Sequence, residues 1–354
     1  MTRLMNVAIN NPVFYKSIFQ GRLEFGAGKN IEKAFQLYQI RAEQYYRNEV
    51  MFKAEQIFNV EHGYIEIPRL VAQANEKSFS NTLNLLEYIA QFAAAGSMGA
   101  WLVDQGKVLR HKMIEPQSDK VAVQEYLRGR KLIGTKGKEM EAIHALNLAI
   151  EKYEKHSQAY ERRGYVNFTL KNYKDALSDF NKSIQFDEHN ALAYFGRAQV
   201  HLYNSDIPKA LQDLGLTIQK SLALQMVHWQ ARYQKGELHY QLKQNKEAAF
   251  EFKLFCDRKF DPKDISYLKK RDANYFYGRI LMEQEQFEEA AARFNAALAA
   301  LDENPKSAKF TKADILLQRG LAKKLAGKNG FMADVKEAAT LGSKEAKKML
   351  QAKA

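Results

Sequence analysis

The sequence predicts an all-α protein built from helical repeats, and two observations carry this prediction. An apolar signature recurs with a period of 34 residues, in windows that begin at Val123, Ser157 and Ala191. Small and large side chains also alternate at matching places in the three windows, which is typical of helix pairs in close contact. A period of this length indicates stacked helix–turn–helix units, because one such unit cannot bury its apolar face alone.

The second window shows the pattern most completely. Its first helix carries Tyr160 at the fourth place and Gly164 at the eighth. Its second helix carries Ala176 at the twentieth place and Phe180 at the twenty-fourth. The small residues let the two helix backbones approach, and the rings fill the space beside them. Equivalent residues in the flanking windows are Tyr126, Ala142 and Leu146, and Tyr194, Ala198, Ala210 and Leu214.

In these positions the windows resemble tetratricopeptide repeats, whose pattern is an aromatic, Leu-Gly, Tyr, Ala, a second aromatic and a second Ala. Two further windows keep this spacing, and a sixth lacks one residue between its helices. Their matching residues are Gly236, Tyr240, Ala248 and Phe252, then Gly278, Met282, Ala290, Phe294 and Ala297, then Gly320, Val335 and Ala338. The resemblance covers about residues 121–340. It implies a right-handed, TPR-like solenoid of five to six repeats.

Three departures from the family pattern stand out. The Leu before the Gly is replaced by Arg163, Arg197 and Lys235 in the second to fourth windows. In the first window the eighth place holds Arg130, with Gly129 beside it. An insert of about ten residues, around Asp261 to Lys270, separates the fourth and fifth windows. We expect the fold to tolerate these changes, with the regular superhelix interrupted near the insert.

Composition divides the chain into three regions. Residues 1–118 form an N-terminal helical region, 119–342 the repeats, and 343–354 a basic capping helix that Ser343 can begin. The loop around Pro116 marks the first boundary. A polar terminal helix is what the end of a repeat stack needs for solubility.

The N-terminal region is less regular than the repeats. A long helical pattern runs from Ile31 to Phe58, and a further helix is expected from about Asn81 to Ala95. A degenerate repeat over about residues 14–47 is an open alternative. We expect loops rather than strands at Tyr64–Ile67 and around Asp104.

Charge and cysteine content restrict the class of protein. The net charge is +13, and from residue 305 onward 12 Lys and Arg face only 4 Asp and Glu. This basic tail favours an acidic partner or a solvated helix face. The single cysteine, Cys256, suits a reducing compartment, and no stretch is apolar enough to predict a membrane span. We therefore expect a cytoplasmic protein.

The sequence motifs that could indicate a catalytic or ligand-binding site are weak. The stretch Gly26–Asn30 (GAGKN) resembles a phosphate loop, but it lacks the required upstream Gly and the following Ser or Thr. We expect a turn between two helices there, with no strand before it. The eight histidines show no metal-ligand spacing, and Cys256 lies in an aromatic run typical of a buried residue. We expect no catalytic residue, no cofactor and no metal.

The better candidate site is the concave groove, which in tetratricopeptide repeats is lined by places 2, 5, 6, 9, 12 and 13 of each window. Aromatic rings and arginines dominate those places and favour a protein or peptide partner with aromatic or aliphatic anchors and acidic residues. The alternative is that the rings only pack against the next repeat. The predicted groove residues are Arg128, Lys131, Arg162, Tyr165, Phe168, Phe195, Gln199, Tyr203, Tyr233, Tyr240, Tyr275, Phe276 and Arg279.

The sequence thus predicts a non-enzymatic scaffold for protein–protein interactions. A first alternative is a self-assembling structural protein, in which a head-to-tail contact through the basic tail makes a ring or a filament. A second alternative is a nucleic-acid-binding repeat protein, which the scattered distribution of the lysines makes less favoured.

Overall fold

The computed structural model describes residues 13–261, 264–300 and 309–352. It divides into two compact units, residues 1–200 and residues 201–354, here called unit 1 and unit 2. Unit 1 contains a mixed sheet-and-helix region followed by paired helices, and unit 2 contains paired helices. No helix of the described residues is long and apolar enough to cross a membrane.

The N-terminal part of unit 1 is organised around a five-stranded antiparallel sheet, in the order β2-β3-β1-β4-β5. The prediction of a mostly helical region is therefore wrong here. Loops were expected at residues that lie in β3 and in the β4–β5 hairpin, and β1 (Phe14–Glu24) occupies the start of the proposed degenerate repeat. The strands are β1 (Phe14–Glu24), β2 (Phe58–Asn59), β3 (Tyr64–Asn75), β4 (Ala95–Asp104) and β5 (Lys107–Ile114).

Helices pack on one face of this sheet. Phe19 and Leu23 of β1 are fully buried against them, together with Tyr38, Phe79 and Leu83 from the helices. The long helix expected after Ile31 ends early, because a short π-helical turn follows α1 and breaks its register. The helices are α1 (Lys29–Ile40), the π-helical turn (Arg41–Tyr45), α2 (Ala54–Ile57) and α3 (Glu76–Ala90).

The close approach of β1 and β4 depends on a glycine. Gly21 has a φ of 142°, and a Cβ on it would lie 2.3 Å from the carbonyl oxygen of Ser97. The register of β1 against β3 shifts between Phe19 and Gly21, as expected for a bulge. The bulge interrupts the alternation of apolar and polar residues along β1, which is one reason that the sequence did not predict the strand.

The remaining helices of each unit lie at the places that the repeat pattern predicts. Those of unit 1 are α4 (Val121–Leu132), α5 (Glu139–Lys152), α6 (Ser157–Thr169), α7 (Tyr173–Phe186) and α8 (Ala191–Tyr203), in which the boundary between the units falls. Those of unit 2 are α9 (Ile207–Lys220), α10 (Met226–Gln241), α11 (Asn245–Asp257), α12 (Ile265–Leu268), α13 (Lys270–Glu283), α14 (Phe287–Ala299), α15 (Lys312–Leu325), α16 (Phe331–Thr340) and α17 (Lys344–Gln351).

The small residues of the repeat pattern lie where helices meet. Ala176, Ala198 and Ala210 are fully buried. The ring of Phe180 lies beside two glycines: a Cβ on Gly164 would come within 3.0 Å of it and a Cβ on Gly196 within 2.3 Å. The predicted small/large packing is confirmed, and Phe180 serves two neighbouring first helices at once.

The basic residues that replace the family's Leu form ion pairs between helices. The Nη2 atom of Arg163 lies 2.6 Å from Oδ1 of Asp179 in the same repeat, and its Nη1 donates to Oδ1 of Asn147 in the preceding repeat, also at 2.6 Å. Arg197 donates to Asn181 in the same way, at 2.8 Å. Because the Arg163 guanidinium joins two second helices, this substitution adds a polar link between repeats.

The same arrangement recurs in unit 2. Lys235 contacts Glu251 at 3.0 Å, and Arg319 pairs with Asp334 at 2.5 Å and donates to Asn295 at 2.7 Å. These carboxylates are nearly inaccessible to solvent. The basic residues that replace the family's Leu therefore have the same structural role in several repeats, which is to pair with a buried carboxylate.

The last described helix, α17, begins as predicted. The Ser343 hydroxyl accepts a hydrogen bond from the backbone N–H of Ala346 at 3.3 Å. The predicted basic tail begins at Pro305, and its residues 305–308 and 353–354 lie outside the described residues.

Candidate partner-binding faces

The predicted groove residues lie on the first helices of the pairs, and the face that carries them is here called the groove face. In unit 1 its rings are accessible. Tyr165 is 47% exposed, and Phe168, Phe195 and Gln199 are half-buried. A side chain of a partner can therefore reach aromatic surface on α6 and α8 without any rearrangement of the repeats.

The first repeat departs from the predicted register by one residue. A Cβ on Gly129 would lie 2.7 Å from the Leu146 side chain, so Gly129 takes the close-packing role of the eighth place. The places of the repeat pattern therefore shift by one residue along α4. After this shift Arg130 stands at a groove place, and Arg128 and Lys131 do not. Arg128 and Lys131 are exposed, and Arg128 pairs with a neighbour on its own helix. The assignment of these two residues to the groove needs this correction.

A buried charged cluster lies at one end of the unit 1 groove face. Glu161 is 5% exposed, and burial raises the pKa of its carboxyl group. The Nε atom of Arg162 lies 3.2 Å from Oε2 of Glu161. Arg130 pairs nearby with Glu115 at 2.6 Å. Arg162, a predicted groove residue, is thus paired with the buried carboxylate of Glu161.

The groove face of unit 2 is different, because its rings are largely buried. Tyr233, Tyr275 and Phe276 are only 4%, 6% and 8% exposed. Phe276 stacks on Phe252 with ring centroids 5.2 Å apart, and Tyr240 packs on Phe276 at 5.0 Å. For these rings the alternative reading is the correct one: they pack within the protein, because large flat side chains fill the space between adjacent helix pairs. Tyr203 is 60% exposed.

The chain itself covers part of this face. The Phe310 ring, which precedes α15, stacks on Tyr275 with centroids 3.8 Å apart and meets Phe276 edge-on at 5.0 Å. The backbone N–H of Lys309 donates to Oδ2 of Asp272 at 3.3 Å. The Nζ atom of Lys309 also pairs with the carboxylate of Glu237. Sequence reasoning missed this contact because Lys309 and Phe310 stand outside every repeat window.

An open cavity of about 490 Å³ adjoins the covered rings. It is lined by Tyr275 and Arg279 of α13, by residues of α15 such as Gln318, and by the turn into α17 that includes Lys344. Arg279 is half-buried beside Tyr275 in the wall of this cavity. Of the predicted groove residues in unit 2, Tyr275 and Arg279 line this cavity directly.

Unit 1 also contains a polar junction between the sheet and the repeats. Glu24 of β1 accepts a hydrogen bond from the Tyr153 hydroxyl at 2.9 Å and pairs with Arg22. Burial raises the pKa of the Glu24 carboxyl group and that of Asp187. These contacts fix how the first two repeats sit on the sheet.

Three potential metal-ligand side chains meet at this junction. Single ligand atoms of Glu66, Asp187 and His189 lie within 4.8 Å of one another. No histidine spacing in the sequence could reveal them, because Glu66 lies on β3 and the others lie between α7 and α8. Arg22 lies 3.9 Å from the same Glu66 oxygen that contacts His189, so a cation already balances part of this charge.

The remaining sequence motifs have clear structural roles. A strand, β1, precedes Gly26–Asn30 and α1 follows it, so the expected turn between two helices is wrong. Gly63 packs directly on the backbone of Gly26 and Ala27, where a Cβ would come within 2.6 Å of three backbone atoms. Cys256 is buried as predicted, and burial raises the pKa of its thiol to about 12.

A tetratricopeptide-repeat family model matches residues 136–191 and 270–324. These two stretches are tetratricopeptide repeats. They cover helices α5 to α7 and α13 to α15, one stretch in each unit. No curated protein matches the chain significantly.

Solved tetratricopeptide-repeat structures are similar to this chain. YrrB, described as a TPR protein with an unusual peptide-binding site, is 17% identical over 60% of this chain and 98% of its own, with a TM-score of 0.47. Pseudomonas aeruginosa PilF is 15% identical over 67% and 99% of the two chains, with a TM-score of 0.48. PilW, a type IV pilus biogenesis factor, is 14% identical over 66% and 99%, with a TM-score of 0.42.

Proposed function

We propose that this protein is a non-catalytic scaffold whose tetratricopeptide repeats bind an extended segment of a partner protein. The supporting observation is the accessible groove face of unit 1. Tyr165 exposes nearly half of its surface there, beside half-buried Phe168 and Phe195. Rigid rings provide large contact areas at a low entropic cost, which is why such residues dominate binding hot spots.

A positive charge on the groove face of unit 1 indicates that the partner segment carries an acidic residue. Arg162 lies on the same face, oriented by its ion pair with Glu161. A preorganised guanidinium suits a carboxylate, because two parallel N–H groups can donate to its two oxygens. The partner segment for unit 1 is accordingly one with aromatic or aliphatic anchors and an acidic residue.

The proposal assigns separate tasks to the three regions of the sequence. The sheet region within residues 1–118 holds the first repeats through the Glu24–Tyr153 contact. The repeats within residues 119–342 present the binding faces, and residues 343–354 close the end of the stack. A protein with this role needs no cofactor.

Site-specific photo-crosslinking in the native host lysate tests this proposal. A benzophenone amino acid at Tyr165 is expected to capture a defined partner, and the same group at Lys174, an exposed residue of the second helix α7, is the matched control. The double variant Tyr165→Ala/Phe195→Ala, with the probe at Phe168, should abolish the capture. Equal capture from the Tyr165 and Lys174 positions would contradict a groove-face site.

A further inference from the structure

The groove face of unit 2 already holds a ligand-like segment of its own chain. Lys309 and Phe310 are separated in sequence from the residues that they contact by about 35 to 75 positions, and they approach α10 and α13 from outside both helices. Their contacts are of three kinds: one stacked ring, one ammonium–carboxylate pair and one main-chain hydrogen bond. An extended peptide in a groove uses the same three kinds of contact.

The receiving residues belong to the places that the repeat pattern assigns to the groove. Glu237 is at the ninth place of its window and Asp272 at the second, and Tyr275 and Phe276 are at the fifth and sixth. They come from two adjacent first helices, so the site exists only when both repeats are folded and packed. Together they form an aromatic shelf beside two carboxylates.

The carboxylates select for positive charge. Asp272 is fully buried, with Arg271 3.5 Å away, and the Glu237 side chain is only 13% exposed. Burial of carboxylates is costly unless donors or cations compensate them. Lys309 supplies a main-chain donor to Asp272 and a charge to Glu237, so a basic residue is the natural occupant.

The occupying segment is held loosely enough to be exchanged. The Lys309 side chain is 45% exposed, and Phe310 is only partly buried. The cavity of about 490 Å³ next to Tyr275 provides room for the rest of a bound peptide, with Arg279 and Gln318 in its wall. Only the carboxylate of the Lys309–Glu237 pair is buried, and the half-exposed ammonium can return to water when a competing basic residue takes its place.

We propose that this face of unit 2 binds a partner segment in which a basic residue is followed directly by an aromatic one, and that Lys309-Phe310 is an internal copy of that ligand. The inference rests on the proposed function, since it names the ligand class of the groove. The partner must displace the internal copy, which lowers its apparent affinity by the fraction of time that the face is free. Unit 2 is thus a gated peptide site.

Fluorescence anisotropy with a short probe tests the inference. The probe is fluorescein-Ala-Lys-Phe-Thr-amide, which reproduces residues 308–311, and the protein is the full chain. We expect Phe310→Ala to bind the probe about tenfold more tightly than the wild type, because the competing ring is gone. Lys309→Glu should act in the same direction, because it repels Glu237 and leaves the ring of Phe310 in place.

Charge specificity provides the control. In the Phe310→Ala background, Glu237→Lys should abolish binding of the probe and create binding of fluorescein-Ala-Glu-Phe-Thr-amide. Equal binding by wild type and both opened variants, each shown to be folded by circular dichroism, would overturn the inference. So would opened variants that bind a Lys-Ala peptide as well as a Lys-Phe one. Failure here with intact capture at Tyr165 rejects the unit 2 ligand alone, whereas loss of the Tyr165 capture rejects the proposed function.

Discussion

The groove faces of the two units are built on the same repeat pattern but differ in cover and charge. In unit 1 the rings of Tyr165 and Phe195 are accessible and the fixed side chain beside them is Arg162. In unit 2 the rings of Tyr275 and Phe276 are buried, and the neighbouring charges are carboxylates that already hold Lys309. One pattern of small residues therefore supports two faces of different chemistry.

The comparison shows that the place of a residue in a repeat does not determine whether it is available. Tyr165 and Arg279 are both at the ninth place of their windows, yet Tyr165 is exposed and Arg279 is half-buried. What decides is the local cover, and in unit 2 that cover comes from the three residues in front of α15. The following predictions separate the two faces, beginning with the largest effect.

Ring deletion should distinguish buried from accessible positions. Phe276→Ala is expected to lower the free energy of unfolding by about 3–5 kcal/mol, because it opens a cavity between stacked rings. Phe195→Ala, on the accessible face of unit 1, should cost about 1 kcal/mol. Urea unfolding followed by circular dichroism measures both. Equal costs would mean that the two faces are covered alike.

Removal of the basic partner of a buried carboxylate should destabilise unit 1 more than unit 2. Arg163→Leu restores the family's usual residue but leaves the buried carboxylate of Asp179 without its cation, and a loss of about 3 kcal/mol is expected. Lys235→Leu should cost less than about 1 kcal/mol, because Arg232 stays 2.6 Å from the other oxygen of the same Glu251 carboxylate. Urea midpoints of the two variants provide the test, and an Arg163→Leu variant as stable as wild type would contradict it.

The buried His156 should make unit 1 sensitive to acid. His156 is buried, and burial lowers its pKa from 6.5 to about 3, while its Nδ1 accepts the N–H of Ala159 at the start of α6. Between those pH values the unfolded chain binds a proton that the folded chain does not, so stability falls as the pH falls. The loss reaches about 2 kcal/mol at pH 5.

His156→Asn is the matched variant for this pH dependence. Asparagine can also cap the helix by accepting the same N–H, and it does not titrate. Unfolding curves at pH 7 and pH 5 should show a clearly smaller difference for the variant than for the wild type. Identical pH dependence in both proteins would assign the acid sensitivity to other groups.

The smallest effect is expected on the accessible ring itself. Tyr165→Ala should change the free energy of unfolding by less than about 0.5 kcal/mol, because the side chain makes few buried contacts. It should nevertheless weaken partner capture in the crosslinking experiment. A thermal melt is the direct check, and a large drop in melting temperature would show that Tyr165 is a packing residue like Tyr275.

Sequence reasoning succeeded where the chemistry of a position repeats along the chain. Gly164 and Ala176 lie in close helix contacts as expected, because only a small side chain fits there in every repeat. It failed in the N-terminal region, where strands were taken for loops and helix. No period repeats there, and β1 is interrupted by the bulge at Gly21. The first repeat shows the same limit, since only the contact between Gly129 and Leu146 sets its register.

The sequence by itself determined the paired helices and their small-residue contacts, because these depend on neighbours within one repeat of the chain. Only the tertiary structure decided the antiparallel sheet, the meeting of Glu66 with His189, and the cover of Tyr275 by Phe310. These contacts join residues that are distant in sequence, and their free energy depends on which surfaces the folded chain leaves unburied. A pattern of neighbouring residues in the sequence does not indicate which of these surfaces will meet.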